Sequence, residues 1–332
     1  MHDLDFDTVL DACGGSGVVS YFFKKAGKSV TYNDKLKFNA LIGKALIENQ
    51  GTTFTDEDLD NLLQSFNDNT DRNFIERTFR GIYYLNHENR WLDRMNGGII
   101  NMNHYVAETL EFKKSLAYYA LIQACIIKRP FNLFHRKNLN LRTNDVERNF
   151  GNKATWDKSF ESHFRTFINE ANELVFNSNT HCQATNESIF DLDERGYDLV
   201  YIDPPYLNAD GSNETSDYLK CYHFLEGMCN YDQWNSMMDK KSINKRFHSI
   251  SEQNDFKKET IYQTFEEIIS KYRESTIILS YKLGGLPSIN FLKELMGRYK
   301  RRVYTRSQQY NYALNRQNGN AKKNREVLII GV

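Results

Sequence analysis

An α/β fold is what the order of motifs predicts: a parallel sheet whose chain is interrupted by a largely helical insert. Two stretches carry this expectation. Near the start, Thr8-Val9-Leu10-Asp11 reads as a short apolar strand, followed by the glycine turn Gly14-Gly15-Ser16-Gly17 and a helix that Gly27 closes as its C-cap. A second strand, residues 29–32, completes a βαβ unit, which crosses over right-handedly and makes a parallel sheet. Far downstream, Leu199-Val200-Tyr201-Ile202 is an apolar strand halted by Asp203-Pro204-Pro205-Tyr206. Proline cannot continue a ladder, so the chain must leave the sheet there.

Between these stretches, helix-like spacing dominates. Residues 37–49 read as a helix and 51–55 as a break. Leu59, Leu62, Leu63 and Phe66 give 56–66 a helical stripe, and 74–84 and 105–127 read as further helices. Residues 67–69 read as a loop, and the asparagine-rich 86–103, with its paired glycines, as a loop or lid. Beyond the opening strands come a strand-like region at Cys182, a polar loop over 207–217, a helix over 260–271 and a strand over 276–281. Residues 301–314 and 326–330 resemble the arms of a terminal hairpin, with Arg316, Lys322 and Lys323 in the polar stretch between them.

Composition narrows the function classes. The 332 residues are 40% hydrophobic and 26% charged, enough for one large domain or two. Lys+Arg and Asp+Glu balance at 43 each, so any attraction to a polyanion must come from local patches. Five scattered cysteines without a CxxC pair argue against a disulfide framework or a structural zinc site. No charged-then-apolar leader opens the chain, and its longest apolar run, 118–127, is too short to span a bilayer. A cytoplasmic protein, with no membrane association and no metal, is expected.

Two groups of residues invite chemistry. Asp203 stands at the carboxyl end of a strand, where α/β sheets bind ligands, on backbone stiffened by Pro204 and Pro205. The glycines of the first turn let backbone approach a ligand, and Asp34, at the end of the second strand, can hold ribose hydroxyls. The spacing Gly-x-Gly-x-x-Gly of nicotinamide sites is absent. A segment running from Lys128 through Arg129, Phe131, Phe134, His135, Arg136 and Lys137 to Arg142, Arg148 and Lys153 interleaves basic and aromatic side chains, with few acids (Asp145, Glu147, Asp157). That pattern suits either a nucleic-acid contact or a solvated loop.

The glycine loop followed far downstream by Asp203-Pro204-Pro205-Tyr206 resembles the N6-adenine DNA methyltransferases, most closely their Dam-like group, over most of the chain. The resemblance implies a Rossmann-like methyltransferase sheet over 1–50 and 180–332, with a helical target-recognition domain inserted at 51–179. It implies S-adenosylmethionine as cofactor, with Asp11, Cys13, Gly14, Gly15, Gly17, Asp34, Ser188, Ile189 and Asp203 around it. Double-stranded DNA is the implied substrate, contacted by Arg129, His135, Arg136, Lys137, Arg142 and Lys153. Asp203, Pro204, Pro205 and Tyr206 carry the catalytic role. Tyr222-His223-Phe224-Leu225-Glu226, Tyr310-Asn311-Tyr312-Ala313-Leu314 and Glu326-Val327-Leu328 also look like family blocks. Cys13 stands where relatives usually have Phe, and Ser188 where they often have an acid. Family members usually carry a segment ahead of the loop; here either a partner chain or an upstream region supplies it, or the cofactor site is incomplete and binding is weak.

The chemistry fits these residues. Adenine N6 is a poor nucleophile because its lone pair is delocalised into the ring. Acceptors such as Asp203 and the Pro204 carbonyl can stabilise the charge that grows there in the transition state. Tyr206 offers a face for a base flipped from the duplex, and positioning supplies most of the rate. A restriction-modification methylase is the expected role. The alternatives are N4-cytosine methylation, where the motif usually begins with Ser, and protein amide methylation, where it usually begins with Asn and no helical insert intervenes. A non-catalytic DNA-binding subunit with an incomplete cofactor site is a third.

Overall fold

Strands Thr8–Asp11 (β1) and Ser29–Asn33 (β2) lie side by side in parallel, joined by the helix Val18–Lys25, as the βαβ reading requires. They belong to a computed structural model that describes residues 4–64, 66, 72–144, 153–210, 217–248, 256–309 and 325–332. The chain divides into two compact units. One comprises Met1–Lys35, Ser178–Tyr218 and Ile250–Val332, and the other Leu36–Asn177 and Leu219–Ser249.

The first unit is built on a seven-stranded sheet. Its further strands are Cys182–Thr185 (β3), Leu199–Ile202 (β4), Thr276–Lys282 (β6), Val303–Gln309 (β8) and Arg325–Gly331 (β9), in the order β3-β2-β1-β4-β6-β9-β8. Leu207–Asn208 (β5) and Gly285–Leu286 (β7) form a separate antiparallel pair. The five strands from β3 to β6 run parallel, while β9 and β8 add an antiparallel hairpin at the edge. Central β4 is buried along its whole length, as a strand covered on both faces must be. Leu10, Val200, Ile277 and Ile329 from the sheet pack with Ile261, Phe265 and Ile268 of helix Ile261–Lys271 and with Leu292 and Met296 of helix Ile289–Gly297.

The second unit is helical apart from one isolated bridge, Met238 to Phe247, among the described residues. Its boundaries differ from the expected 51–179. Residues 36–50 and 219–249 belong with it, and the reason is local. The Glu226 carboxylate accepts the free amides of Lys37 and Phe38 at 3.1 Å each, capping the first turn of helix Lys37–Gly43 with a negative charge. Phe224, from the same segment as Glu226, stacks on Phe134 at 5.1 Å and meets the Phe79 ring edge-on at 5.0 Å.

Residues 86–103 are not a loop or lid: Asn86–Asn101 is a sixteen-residue helix. Its buried side carries Glu88, Asn89, Asp93 and Asn96 beside Leu92, Met95 and Ile99, so the apolar stripe that marks a helix is hidden. Each of these side chains makes at least one hydrogen bond; the Asp93 carboxylate, for example, accepts the amides of Ile75 and Glu76 at 2.8 Å each. Those two bonds cap the amino end of helix Phe74–Thr78, which stops short of the expected 74–84. No helix among the described residues is long and apolar enough to cross a membrane. The loop over 67–69, Asp145, Glu147, Arg148, the block 310–314 and the basic residues Arg316, Lys322 and Lys323 lie outside the described residues.

Candidate active site

Strand order reverses at β1, whose neighbours are β2 and β4, so the carboxyl ends of β1 and β4 open on the crevice where such sheets bind ligands. Asp11 is registered opposite Tyr201, and the Ala12 amide donates to the Tyr201 carbonyl at 2.9 Å. The glycine loop and the Asp-Pro-Pro-Tyr turn therefore leave adjacent strands of one unit.

The loop is held from several sides. The Gly14 amide donates to the Asn33 carbonyl at 2.7 Å, the Gly15 amide to Asp34 Oδ2 at 2.9 Å, and the Tyr32 hydroxyl to the Gly15 carbonyl at 2.7 Å. Gly15 and Gly17 adopt φ of 52° and 78°, a region L-residues rarely enter. At Gly14 the constraint is space: a Cβ there would meet the Tyr32 ring at 2.2 Å. Buried Asn33 clamps this loop to the chain after β3. Its amide nitrogen donates to the Ala12 and Glu187 carbonyls at 3.0 and 3.1 Å, and its oxygen accepts the Glu187 amide at 3.0 Å. Just beyond, Ile189 is buried and the Ser188 carbonyl accepts the Asp191 amide at 2.9 Å. Lys271 ties this turn down through the Phe190 carbonyl.

Asp11 is 1% exposed; Oδ2 accepts from Ser20 at 2.7 Å while Oδ1 has no hydrogen-bond partner among the described residues. Burial pushes its carboxyl up to about 7, with the charges of Asp203 and Asp34 adding to the rise against the Ser20 bond. Half-buried Asp203 is raised to about 6, again by burial first and by the Glu326 charge as well, against the Tyr206 and Ser280 bonds. The Tyr206 hydroxyl donates to Asp203 Oδ1 and also lies 3.0 Å from Glu326 Oε1 and 3.1 Å from Ser280 Oγ. Its ring stands edge-on to Tyr281 at 5.2 Å. Asn33, Tyr32, Ser280, Lys271 and the side chain of Glu326 were not among the expected site residues. Only contact across the sheet reveals them, because β6 and β9 lie more than seventy residues from Asp203.

The basic segment splits into two sets. Arg129 is 1% exposed, gives its guanidinium to the carbonyls of Leu133 and Arg136, and packs 4.4 Å from the Tyr83 ring. Arg142 is buried in an ion pair with Glu88. Neither side chain is on the surface, so neither is a phosphate contact: both hold the helical unit together. Arg136, Lys137 and Lys153 are exposed and His135 is half-buried. A turn that the sequence did not bring out lies beside them. Asn244 donates to the Phe134 and His135 carbonyls at 3.1 and 3.0 Å, joining this loop to a stretch with exposed Lys240, Lys241 and Arg246 and with Ile243 at 79% exposure. Bonds from Asp239 to the Arg246 carbonyl and from His248 to the Met237 carbonyl close it as a hairpin. In the block 222–226, His223 is structural: burial lowers its imidazole to about 3, and it shares the Tyr83 hydroxyl at 2.8 Å.

The family model of D12 class N6 adenine-specific DNA methyltransferases matches residues 5–277. The Type II methyltransferase M2.HphI of Haemophilus parahaemolyticus is 27% identical over 307 residues, covering 90% of this chain and 83% of that protein. With a glycine loop and an Asp-Pro-Pro-Tyr turn on neighbouring strand ends, and a family match over most of its length, the chain belongs to the D12 class N6 adenine-specific DNA methyltransferases.

Proposed function

We propose that the methyl donor is S-adenosylmethionine, held by the carboxyl ends of β1, β2 and β3, and that Asp203 is the group that acts on adenine N6. The residues fit the cofactor. Among the described residues, buried Asp11 keeps one carboxylate oxygen without a partner, an acceptor suited to a ligand donor, since buried polar atoms are seldom left unpaired. Gly14 and Gly15 bring backbone close to the crevice, Asp34 stands at the end of β2 for ribose hydroxyls, and Ser188 and Ile189 border the far side. When bound, S-adenosylmethionine supplies an electrophilic sulfonium methyl.

Asp203 then acts as an acceptor. With its carboxyl at about 6 it is ionised at neutral pH, and it accepts an N6–H as the nitrogen takes on positive charge. Tyr206 fixes Oδ1, so the carboxylate does not reorient during the reaction. The Pro204 carbonyl is the second acceptor, and Pro205 stiffens the turn.

DNA is bound, in this reading, by Arg136, Lys137 and Lys153 together with the hairpin that carries Lys240, Lys241 and Arg246. Ile243, exposed at the hairpin's tip, is an apolar tip of the kind that can be inserted between base steps. The relative's name supports a role as the modification half of a restriction-modification pair. The observation that carries the proposal is the junction of Asp11 and Asp203 at the β1/β4 strand ends. Its test is methylation of a genome-sized DNA followed by mapping of the modified bases, for the wild type and Asp203→Ala. N6-methyladenine at one short sequence, reduced at least about 100-fold by the substitution, is expected; undiminished methylation by Asp203→Ala defeats the assignment.

A further inference from the structure

Two carboxylates meet one hydroxyl in this site. Tyr206 Oη bonds Asp203 Oδ1, and Glu326 Oε1 stands 3.0 Å from Tyr206 Oη. A phenol has one proton to donate, so it cannot serve both acceptors at once. Ser280, 3.1 Å from Tyr206 Oη and also bonded to Asp203, supplies a second donor. With so few donors between them, the Glu326 charge adds to the rise in the affinity of Asp203 for a proton.

We infer that Glu326 is a positioning residue of methyl transfer, which acts through the Tyr206 hydroxyl to keep Asp203 basic and then takes up the proton released from N6. The inference rests on the reading of Asp203 as the N6 acceptor. As N6 gains the methyl carbon, the bond from that carbon to the donor sulfur breaks and leaves its electron pair on sulfur, so the positive charge passes from the sulfonium to N6. One N6–H bond breaks, its electron pair stays on nitrogen, and the proton joins Asp203. Asp203 passes a proton to Tyr206 Oη while the Tyr206 proton moves to Glu326, so the phenol stays neutral and Glu326 ends protonated. Burial and the Asp203 charge push the phenol's own ionisation far up, which keeps it a conduit rather than an anion.

The surroundings suit this path. Glu326 lies on β9, half-buried, where a proton can leave to water. Around Asp203 stand Tyr206, Ser280 and Glu326 with Asp11 and Tyr201 beyond. Around Glu326 stand Tyr206 and Tyr201, with Lys282 opposite it on β6 and Gln308 opposite it on β8. The Lys282 ammonium is directed to the Asn208 side chain.

The test is the titration of Asp203 in protein labelled at aspartate carboxyl carbons, free of cofactor and DNA, with the signal assigned by its loss in Asp203→Asn. In Glu326→Gln the Asp203 midpoint falls by about half to one pH unit, the shift one nearby carboxylate charge produces. The acid limb of single-turnover methylation moves down by the same amount, and its plateau drops about threefold as the acceptor weakens. In a Tyr206→Phe background, Glu326→Gln costs little further plateau rate. Glu326→Asp, which keeps the charge, guards against misfolding of the Gln variant and titrates near the wild-type midpoint. An unmoved midpoint in Glu326→Gln, losses that multiply in the double variant, or an ordinary midpoint of about 4 in Glu326→Asp overturns the inference. Full turnover by Asp203→Ala instead overturns the underlying site reading, whatever Glu326 does.

Discussion

Arg142 reaches both carboxylate oxygens of Glu88, at 2.9 and 2.8 Å, and Lys128 closes on the same group at 2.8 Å. All three side chains are buried. Burial pushes the Glu88 carboxyl up, but the Arg142 and Lys128 bonds outweigh it and hold the group below its usual range. Its contribution is therefore complete at neutral pH and is lost as pH falls below about 4. Arg142→Ala leaves a buried charge short of a partner and is expected to cost roughly 3–5 kcal/mol in urea unfolding.

Arg136 sits only six positions earlier and is exposed, which reverses the expectation. Arg136→Ala should leave the unfolding midpoint in place and reduce the slope of log affinity for duplex DNA against log salt by about one. A slope equal to the wild type's removes Arg136 from the DNA surface.

Asp11 gives a pH dependence of opposite sign to Glu88. Its carboxyl stands at about 7 in the fold against 3.8 in the open chain, so the folded form binds the extra proton between those values. Stability contributed by this group falls as pH rises from about 4 to about 7 and is flat on either side. Asp11→Asn should stabilise the cofactor-free protein at pH 8, by an amount on the order of 1–3 kcal/mol, and change little at pH 4. The same substitution should weaken cofactor binding by calorimetry, because the partnerless oxygen is replaced.

Gly14→Ala tests the close approach of loop and strand. A methyl at 2.2 Å from a buried Tyr32 ring forces one of them to move, an overpacking cost of about 1–3 kcal/mol. Thermal melting should show that loss, and calorimetry a parallel loss of cofactor affinity as the Tyr32–Gly15 bond is displaced.

The βαβ start and β4 were legible because each is a short apolar run bounded by glycine, proline or polar turns, and the terminal hairpin because its second arm runs apolar after a polar stretch. Helix Asn86–Asn101 was not, since its buried face is made of Glu88, Asn89, Asp93 and Asn96, and polarity there reports internal bonding rather than exposure. The same blindness affected the basic segment: Arg129 and Arg142 look in sequence like Arg136, and only burial separates the struts from the surface. At the reacting centre, Asp203 and Tyr206 announce themselves within one motif. Ser280 and Glu326 reach it from β6 and β9, and a single residue on an ordinary strand carries no local mark of that.

The pairing of β1 with both β2 and β4 also sets an order of assembly. The β1–β2 pair is complete within the first 33 residues, yet β4 follows only at Leu199. On the ribosome the glycine loop must wait, with one edge of β1 bare, while the helical unit's long first segment emerges. Chains released before residue 199 expose an unpaired apolar strand edge, a template for aggregation. Synthesis that stalls within the helical unit therefore yields material for proteolysis rather than a partly active enzyme.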